Sequence, residues 1–356
     1  MRFRMNSTER ETMKAIQLLG KEKVVLKEVP MPVIGPDEIL IRVKAASLCG
    51  TDVRMYQNGY KNVSEQNPLI PGHEFAGDIA EIGARVKGYH LGQKVSAAPN
   101  IGCGTCDMCV SGQTHLCEDY DAFGVTMDGG FAEYVRVPEK AIRQGNIAPL
   151  QEDISYQAAA LVEPLSCVYN GQKLIGIRPG DDVLIIGLGP IGVMHIMVAK
   201  IFGAGRIFVN DLSKERVDQA KALIPDVYPI YGDVKEGFAQ YHQTGVDICV
   251  IAAPAPLAQA QSLEYMNMNG RILFFGGLPA AQEVVPINAN LIHYKQLRIQ
   301  GCTKQSVSEY RLCAKLVNDG RIPLHLIMSD SYSIDEFDQA LKNAAAAKGL
   351  KHVILF

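Results

Sequence analysis

The feature that most constrains the fold is a glycine-rich turn between an aliphatic run and a helical stretch. Residues 187–192 read G-L-G-P-I-G, which is the pattern G-x-G-x-x-G. The four aliphatic residues before it predict a buried strand, and residues 191–202 after it predict a helix. In this context the glycines permit a tight turn, close approach of the backbone to a pyrophosphate, and packing of the helix on the strand. The turn therefore predicts a dinucleotide site at a helix N-terminus, with a purely structural turn as the alternative. The residues assigned to this site are Gly187, Gly189, Pro190, Ile191 and Gly192.

An acidic residue ends the next predicted strand. Asp211 can accept hydrogen bonds from the adenosine ribose and repels a 2′-phosphate. Leu212 and Arg216 follow it and complete the predicted cofactor-binding set. Lys214 and Arg216 could instead meet a 2′-phosphate, but Asp211 opposes this, so the sequence favours NAD over NADP.

The chain changes character along its length. Up to about residue 149 it has short apolar runs broken by Gly and Pro, which predicts a domain rich in strands and turns. From about residue 179 to 301, predicted strands alternate with helices, as in a doubly wound parallel sheet. We therefore predict an α/β protein with a β-rich domain over residues 13–164, a nucleotide-binding domain over 165–301, and a C-terminal return, 302–356, to the first domain. The predicted strands after the glycine turn are 206–210, 247–251, 271–275 and 297–300.

Four of the nine cysteines are crowded into one short loop. Cys103, Cys106, Cys109 and Cys117 offer four thiolates, and the neighbouring glycines give the loop flexibility. Four closely spaced sulfur donors are typical of a structural zinc site with no open coordination position. A disulfide pair and an iron–sulfur cluster are the alternatives.

A second group of potential metal ligands is dispersed. Cys49 and His73 offer sulfur and nitrogen, while Glu74 and Glu163 offer oxygen. A catalytic zinc needs about three such ligands and an open position for water or alcohol. On these residues alone, the alternative that Cys49 and His73 are ordinary core side chains is the stronger one.

Composition limits the partners and the compartment. The net charge of −3 over 356 residues gives no reason to expect binding to nucleic acid or to an anionic membrane. Residues 1–12 lack the apolar segment of a secretory signal and are predicted to be an extension ahead of a domain that starts near Met13. The clustered cysteines suggest a reducing compartment, so we predict a cytoplasmic protein.

Taken together, the motifs resemble those of the zinc-containing medium-chain dehydrogenases, and within them the sorbitol (polyol) dehydrogenase group. The resemblance covers essentially the whole chain from Met13. It rests on five matches in order: Cys49-Gly50-Thr51-Asp52, Gly72-His73-Glu74, the four-cysteine loop, Glu163-Pro164-Leu165-Ser166, and the glycine motif with Asp211.

This resemblance implies a GroES-like catalytic domain formed by both ends of the chain, with a Rossmann domain between them. It implies two zinc ions per chain, one structural in the cysteine loop and one catalytic on Cys49, His73 and Glu163, with Glu74 approaching the metal. Thr51 would begin a proton relay, and Asp52 would orient His73.

Two departures from the family pattern concern the substrate. Many relatives carry a relay histidine three residues after the Thr51 position, where this chain has Arg54. Residues 301–304 also lack the Arg-Tyr pair that helps hold the polyol in mammalian-type polyol enzymes. The resemblance thus implies the reaction type without fixing the substrate.

The leading hypothesis is a dehydrogenase that passes a hydride from a secondary alcohol of a polyol or sugar-derived substrate to NAD. Alternatives are a phosphorylated polyol such as galactitol phosphate, an amino alcohol such as threonine, and a non-enzymatic zinc-binding protein. A phosphate would need basic residues, and the candidates are Arg54, Lys61, Lys304 and Arg311. The family implies a homodimer or homotetramer joined through sheet edges, for which residues 271–275 and 284–287 are candidates.

Overall fold

The computed structural model describes residues 12–356, which form two compact units. The first unit runs to Glu163 and resumes at Ser306–Phe356, and the second is Pro164–Gln305. The sequence predicted changes of domain after residues 164 and 301, and the structure changes unit after residues 163 and 305. The predicted N-terminal extension lies, up to residue 11, outside the described residues.

The strands are numbered along the chain. They are β1 (Thr12–Gly20), β2 (Lys23–Pro30), β3 (Ile39–Ser47), β4 (Glu74–Ile82), β5 (Lys94–Ala97), β6 (Asn100–Ile101), β7 (Asp121–Ala122), β8 (Tyr134–Val137), β9 (Ile147–Pro149), β10 (Val183–Ile186), β11 (Ile207–Asp211), β12 (Tyr228–Tyr231), β13 (Val246–Ile251), β14 (Met266–Phe274), β15 (Arg298–Gly301), β16 (Met328–Ser333) and β17 (Lys351–Leu355).

The α-helices are numbered in the same way, and short 3₁₀ turns supplement them. The helices are α1 (Gly50–Asn58), α2 (Asp107–Val110), α3 (Glu139–Gln144), α4 (Tyr156–Ala160), α5 (Val162–Ile175), α6 (Pro190–Ile201), α7 (Lys214–Leu223), α8 (Val234–Gln240), α9 (Pro256–Gln261), α10 (Ala289–Lys295), α11 (Val307–Asn318) and α12 (Phe337–Ala345). The 3₁₀ turns are Thr114–Leu116, Ser262–Tyr265, Leu324–Ile327 and Ile334–Glu336.

The first unit is built on a 7-stranded sheet with the order β16-β17-β3-β4-β5-β9, to which β8 adds by pairing with β3. Strand β3 is interior to the sheet, because β4 pairs along one of its edges and β8 and β17 share the other. Strand β17 comes from the end of the chain and places Val353 opposite Ser47 of β3. The C-terminal segment is therefore an interior part of this sheet.

The second unit contains a 6-stranded parallel sheet with the order β12-β11-β10-β13-β14-β15. The chain starts at the central strand β10 and then proceeds outward on each side in turn. Val183, Leu184 and Ile185 of β10 are fully buried, as expected where helices cover both faces of a parallel sheet. This order confirms the predicted doubly wound sheet, and the glycine turn follows the strand where the order reverses, the usual place for a ligand.

One sequence expectation about this sheet is wrong. Residues 271–275 were a candidate for an exposed sheet edge, but β14 pairs with β13 on one side and with β15 on the other. The edge strand on this side is β15, in which Ile299 is 36% exposed. Residues 284–287 form no strand, although Val284 is 87% exposed. Apolar periodicity predicts strands but not their order in a sheet, which explains the error.

Among residues 12–356, none of the helices combines the length and the apolar character that crossing a membrane requires.

Candidate metal centres and dinucleotide site

The glycine turn has the geometry that the sequence predicts. Gly187 adopts a φ of 94°, and a Cβ there would lie 2.8 Å from the Cβ of Ala253. A Cβ on Gly192 would lie 1.8 Å from the carbonyl oxygen of Gly187, so helix α6 approaches the strand as only glycine allows. At Gly189, the N-cap of α6, the nearest atom to an added Cβ is Arg216 Nη1 at 3.7 Å. The turn is therefore tightly packed at Gly187 and Gly192, whereas Gly189 has space for an approaching ligand.

Asp211 and Arg216 both contact this turn. Asp211 Oδ2 accepts a hydrogen bond of 2.6 Å from the Leu188 amide, and Oδ1 accepts one of 2.9 Å from the Ser213 amide. Arg216 Nη1 donates to the Leu188 carbonyl at 3.4 Å. Leu212 between them is fully exposed. Lys214 points elsewhere, to Asp218 at 2.6 Å. The structure thus brings together the predicted cofactor-binding residues around the N-terminus of α6.

The four predicted thiols of the cysteine loop converge on one point. The sulfur atoms of Cys103, Cys106, Cys109 and Cys117 all lie within 4.8 Å of one another. Cys103 Sγ is 4.0 Å from Cys109 Sγ, and Cys106 Sγ is 3.8 Å from Cys117 Sγ. Four sulfurs at about 2.3 Å from a tetrahedral zinc ion are about 3.8 Å apart, so these distances fit zinc. All four cysteines are free thiols, which overturns the disulfide alternative.

The surrounding loop stabilises this arrangement. The amides of Thr105 and Cys106 donate to Cys103 Sγ at 3.4 and 3.3 Å. The hydroxyl and amide of Thr105 lower the pKa of Cys103 to about 6, whereas burial raises the pKa of Cys109 to about 12. Gly102 is required because a Cβ there would lie 2.5 Å from Cys109 Sγ.

A side chain that the sequence did not single out anchors the same loop. Gln144, at the end of α3, donates to the Gly102 carbonyl at 2.6 Å and accepts from the Gly102 amide at 3.1 Å. Its place at the end of a different helix gave no signal in the sequence. The loop is therefore tied to the β-rich unit next to its first ligand.

The dispersed ligands meet in the first unit. Cys49 is the N-cap of α1, His73 immediately precedes β4, and Glu74 is the first residue of β4. One potential ligand atom from each of these three residues lies within 4.8 Å of the others. We call Cys49, His73 and Glu74 the metal group. A sulfur, a nitrogen and an oxygen donor in one buried group suit the borderline-soft Zn²⁺ ion.

Asp52 lies behind His73, as the sequence predicts. Its Oδ2 accepts from the Cys49 amide at 2.8 Å, and its Oδ1 is 3.7 Å from His73 Nδ1. Both Oδ1 and Nδ1 are buried, and neither meets hydrogen-bond criteria with another group in the described chain. The carboxylate thus faces Nδ1 and leaves Nε2 of His73 as the nitrogen directed away from Asp52, the arrangement found behind metal-binding histidines.

The electrostatics of the group favour a bound positive charge. Burial alone would raise the pKa of the Cys49 thiol, but His73 and Lys351 lower it to about 7. Burial alone would lower the pKa of His73, but Cys49 and Asp52 raise it well above its usual value. Without a metal, a proton on His73 supplies the positive charge that the thiolate and the carboxylates require. A metal cation can take its place, so the residues fit zinc.

Glu74 has partners that the sequence did not reveal. It is fully buried, its carboxylate accepts from Lys351 Nζ at 2.7 Å, and it also contacts the Ser47 hydroxyl. Lys351 also donates to the Leu48 carbonyl at 3.0 Å. Burial alone would lower the pKa of Lys351, but the charge of Glu74 raises it above its ordinary value. Within the metal group, Glu74 is therefore the member whose carboxylate is already ion-paired, with Lys351.

Glu163 is buried near the metal group but is not one of its three members. It lies in the first turn of α5 and is 6% exposed. Its charge contributes to the raised pKa of His73, which places it in the same electrostatic environment. Its assignment as a zinc ligand stays a prediction.

The hydroxyl predicted to begin the proton relay lies on the first turn of α1. Thr51 Oγ1 accepts a hydrogen bond of 3.0 Å from Arg54 Nη2. Arg54, at the position where the family resemblance led us to expect a relay histidine, therefore contacts the Thr51 hydroxyl directly.

Comparison with known proteins agrees with this site. The alcohol dehydrogenase GroES-like domain family matches residues 35–146, and the zinc-binding dehydrogenase family matches residues 190–319. An L-threonine 3-dehydrogenase from Pyrococcus horikoshii is 36% identical over 93% of this chain and 94% of its own. A sorbitol dehydrogenase from Bacillus subtilis is 30% identical over 97% of both chains. The chain belongs to the zinc-dependent medium-chain dehydrogenase family.

A solved structure supports the same conclusion for the fold. A zinc-binding dehydrogenase from Sinorhizobium meliloti, crystallised with NADP, superposes with a TM-score of 0.88 at 29% identity. The match covers 98% of this chain and 100% of that one. The predicted combination of a GroES-like domain and a Rossmann domain is therefore confirmed. As a member of this family, the protein is an oxidoreductase that acts on CH–OH groups with zinc and a nicotinamide dinucleotide.

Proposed function

We propose that the protein transfers a hydride from a secondary alcohol of a polyol or sugar-derived substrate to NAD. The observation that carries this proposal is the mixed metal group, with the Thr51 hydroxyl two residues beyond Cys49 on the same helix turn. A zinc ion bound there supplies a Lewis acid that acidifies an alcohol hydroxyl.

The protein's own residues supply position and proton transfer. Cys49 and His73, with Glu163, would hold the metal, and Asp52 would fix the orientation of the His73 ring. Thr51 would accept the alcohol proton and pass it outward. Arginine does not give up its proton, so the relay would leave Thr51 through water or the cofactor ribose rather than through Arg54. Glu74 would balance charge behind the metal while it remains paired with Lys351.

The preference for NAD over NADP is supported by Asp211. Its carboxylate lies against the glycine turn, where it would accept hydrogen bonds from the ribose and repel a 2′-phosphate. Leu212 and Arg216 would flank the adenosine end. Gly187, Gly189, Pro190, Ile191 and Gly192 would surround the pyrophosphate at the N-terminus of α6.

A second candidate substrate is L-threonine. The relative from Pyrococcus horikoshii supports it, since that enzyme is an L-threonine 3-dehydrogenase of nearly the same length. Threonine also carries a secondary alcohol, so the metal group and Thr51 would do the same chemistry.

The test is nicotinamide reduction, followed by absorbance, on protein of known zinc content. Sugar alcohols, sugar acids, their phosphates and L-threonine would each be offered with NAD⁺ and with NADP⁺. Turnover of a polyol or sugar acid with NAD⁺ supports the proposal, and turnover of threonine alone replaces it with the second candidate. A preference for NADP⁺ would overturn the role of Asp211. Absence of turnover with all of these compounds would overturn the proposed substrate class.

We also propose that the protein is a homo-oligomer whose copies join along β15. Support comes from the outer position of β15 in its sheet and from the exposed side chains of Ile299 in β15 and of Tyr294 in the helix just before it. Light scattering of the purified chain would show a dimer or tetramer, and a monomer at micromolar concentration would contradict this.

A further inference from the structure

Arg54 lies beside the metal group with most of its donors unused. Its guanidinium folds back over the first turn of α1, where Nη1 is 3.4 Å from the position of a Cβ on Gly50. One N–H, on Nη2, donates to Thr51. A guanidinium has five N–H donors in a planar fork, so several remain available to a ligand.

Among residues 12–356, no carboxylate pairs with Arg54. By contrast, Arg85, Arg206 and Arg271 each form an ion pair with an aspartate. The carboxylate nearest in sequence, Asp52, is committed to the Cys49 amide and to His73. The positive end of the α1 dipole adds to the charge of Arg54 at this turn. Arg54 is therefore an exposed cation next to Thr51 that forms no ion pair within the described residues.

The other basic residues considered for an anionic substrate have different surroundings. Arg311 donates to the carbonyls of Gly145 and Ile147 at 3.1 and 3.0 Å. Lys61 lines a cavity of about 880 Å³, and that cavity's lining includes neither Thr51 nor the metal group. Lys304 belongs to the second unit. Of the four, Arg54 is the one that contacts the relay hydroxyl.

We propose that Arg54 binds an oxyanion, a carboxylate or a phosphate, on the substrate close to the carbon that is oxidised. This inference rests on the proposed function and narrows its substrate class to anionic alcohols. A guanidinium binds either oxyanion through two parallel hydrogen bonds, which a neutral hydroxyl cannot match. The same residue that interrupts a histidine relay thus selects the substrate.

The experiment compares, on zinc-loaded, full-length protein, pairs of alcohols in which one member carries an oxyanion group that the other lacks. The pairs are sorbitol with gluconate, sorbitol with sorbitol 6-phosphate, and L-threoninol with L-threonine. The wild type should prefer the member with the oxyanion group in at least one pair. Preference in the first or third pair identifies a carboxylate, and preference in the second identifies a phosphate.

The Arg54→Gln variant should reduce this preference by about 10- to 100-fold, mainly through KM, because a charge-assisted hydrogen bond is lost. Arg54→Lys, which keeps the charge but not the fork, should retain an intermediate preference. Arg143→Gln is the matched control, since Arg143 is 77% exposed on the same unit and pairs with Glu139. An equal anion preference in wild type and Arg54→Gln would overturn the inference.

A binding measurement separates this inference from the proposed function. Calorimetry with gluconate and with inorganic phosphate, on zinc- and NADH-loaded protein, should show binding to wild type and Arg143→Gln that Arg54→Gln lacks. If no alcohol is oxidised but this binding depends on Arg54, the proposed function fails and the anion site stands. If neutral polyols are oxidised and neither turnover nor binding responds to Arg54, the function stands and the anion site is wrong.

Discussion

Lys351 and Glu74 are buried together, and each compensates the charge of the other. The lysine side chain is 4% exposed and the glutamate side chain is fully buried. Removal of one partner from a buried pair leaves an uncompensated charge, which costs far more than the pair itself contributes. The pair is therefore a point where a single substitution should have a large effect.

We predict that Lys351→Met lowers the free energy of unfolding by about 3–5 kcal/mol. Addition of Glu74→Gln should recover much of this loss, because the buried negative charge is then removed. Urea unfolding of the zinc-loaded protein measures both variants. Lys348→Met, at an exposed position three residues earlier in the chain, is the control and should lie within about 0.5 kcal/mol of wild type. A Lys351→Met variant as stable as this control would contradict the role of the ion pair.

His195 is fully buried in α6 and stays neutral at physiological pH. Burial lowers its pKa to about 3, and its neighbours are the amide of Gln172 at 3.0 Å and the ring of Phe275. An unfolded chain binds a proton at His195 near the usual value of 6.5, so it binds more protons than the folded chain between the two values. The stability that His195 contributes is complete above about pH 6.5 and is lost as the pH falls toward about pH 3.

The His195→Gln variant should therefore lose less stability than wild type on acidification. We expect the free energy of unfolding of wild type to fall more steeply with decreasing pH than that of the variant. The two slopes should differ by an amount that approaches about 1.4 kcal/mol per pH unit below about pH 6. Urea midpoints of both proteins from about pH 7 to about pH 5 measure it, and zinc loss, which affects both, cancels in the difference. Parallel pH profiles would show that His195 does not titrate differently in the two states.

The sequence predicts a functional residue more readily when its partners lie close to it along the chain than when they lie far away. The four zinc-loop cysteines are close in sequence, so their spacing alone indicates a common site. Lys351 and Glu74 are 277 residues apart, and nothing in the spacing pairs them. Gln144 was not predicted for the same reason, since its partner Gly102 is 42 residues away in the chain.

At the level of elements, the turn from β10 into α6 separates two roles of glycine. Gly192 is required by packing, because its missing Cβ makes room for the Gly187 carbonyl. Gly189 has a φ of −66°, an extended backbone conformation that any residue can adopt. An added Cβ there would meet no atom closer than Arg216 Nη1 at 3.7 Å. Its role should therefore concern a ligand rather than the fold.

We predict that Gly189→Ala leaves thermal stability unchanged but weakens NADH binding by at least about tenfold, since the methyl group would occupy space needed by the pyrophosphate. Gly192→Ala should instead destabilise the protein by about 1–3 kcal/mol through steric conflict. Thermal unfolding without cofactor, and NADH fluorescence titration, measure the two effects. A destabilised Gly189→Ala with normal NADH affinity would reverse this assignment.

Several elements of the second unit follow from apolar periodicity and turn residues: the helix predicted at 191–202 is α6, within one residue at each end, whereas β12 was not among the predicted strands. The order of the strands does not follow in the same way. The mixture of apolar and polar residues in β14 would suit either an edge strand or an interior strand. Its sequence therefore does not reveal that β15 pairs along its outer edge. Sheet order depends on contacts between distant segments, which explains the wrong assignment of residues 271–275 to an edge.

At the level of the whole molecule, the first unit needs both ends of the chain. Strand β17 lies between β16 and β3, and it also carries Lys351. Removal of an interior strand exposes the paired edges of both neighbours and uncovers their core. The family resemblance predicted this return of the chain, whereas composition alone did not.

We predict that deletion of residues 351–356 prevents the first unit from folding while the doubly wound sheet of the second unit can still form. Hydrogen exchange should show protection lost in β3 and β4 but retained in β10 and β13. Deletion of residues 1–6, which lie outside the described part, removes the same number of residues and should preserve protection in both units. Protection of β3 in the shorter chain would contradict the prediction.

The interior position of β17 also has a consequence for protein synthesis. A ribosome releases β3, β4 and the cysteine loop first, then the complete second unit, and only after it the strand that completes the first sheet. Until then Glu74 lacks its lysine, and the edge of β3 at Ala45, Ala46 and Ser47 lacks its partner strand. The nascent chain thus carries a complete nucleotide-binding unit while the first unit is still incomplete, and Glu74 gains its counter-charge only when Lys351 emerges.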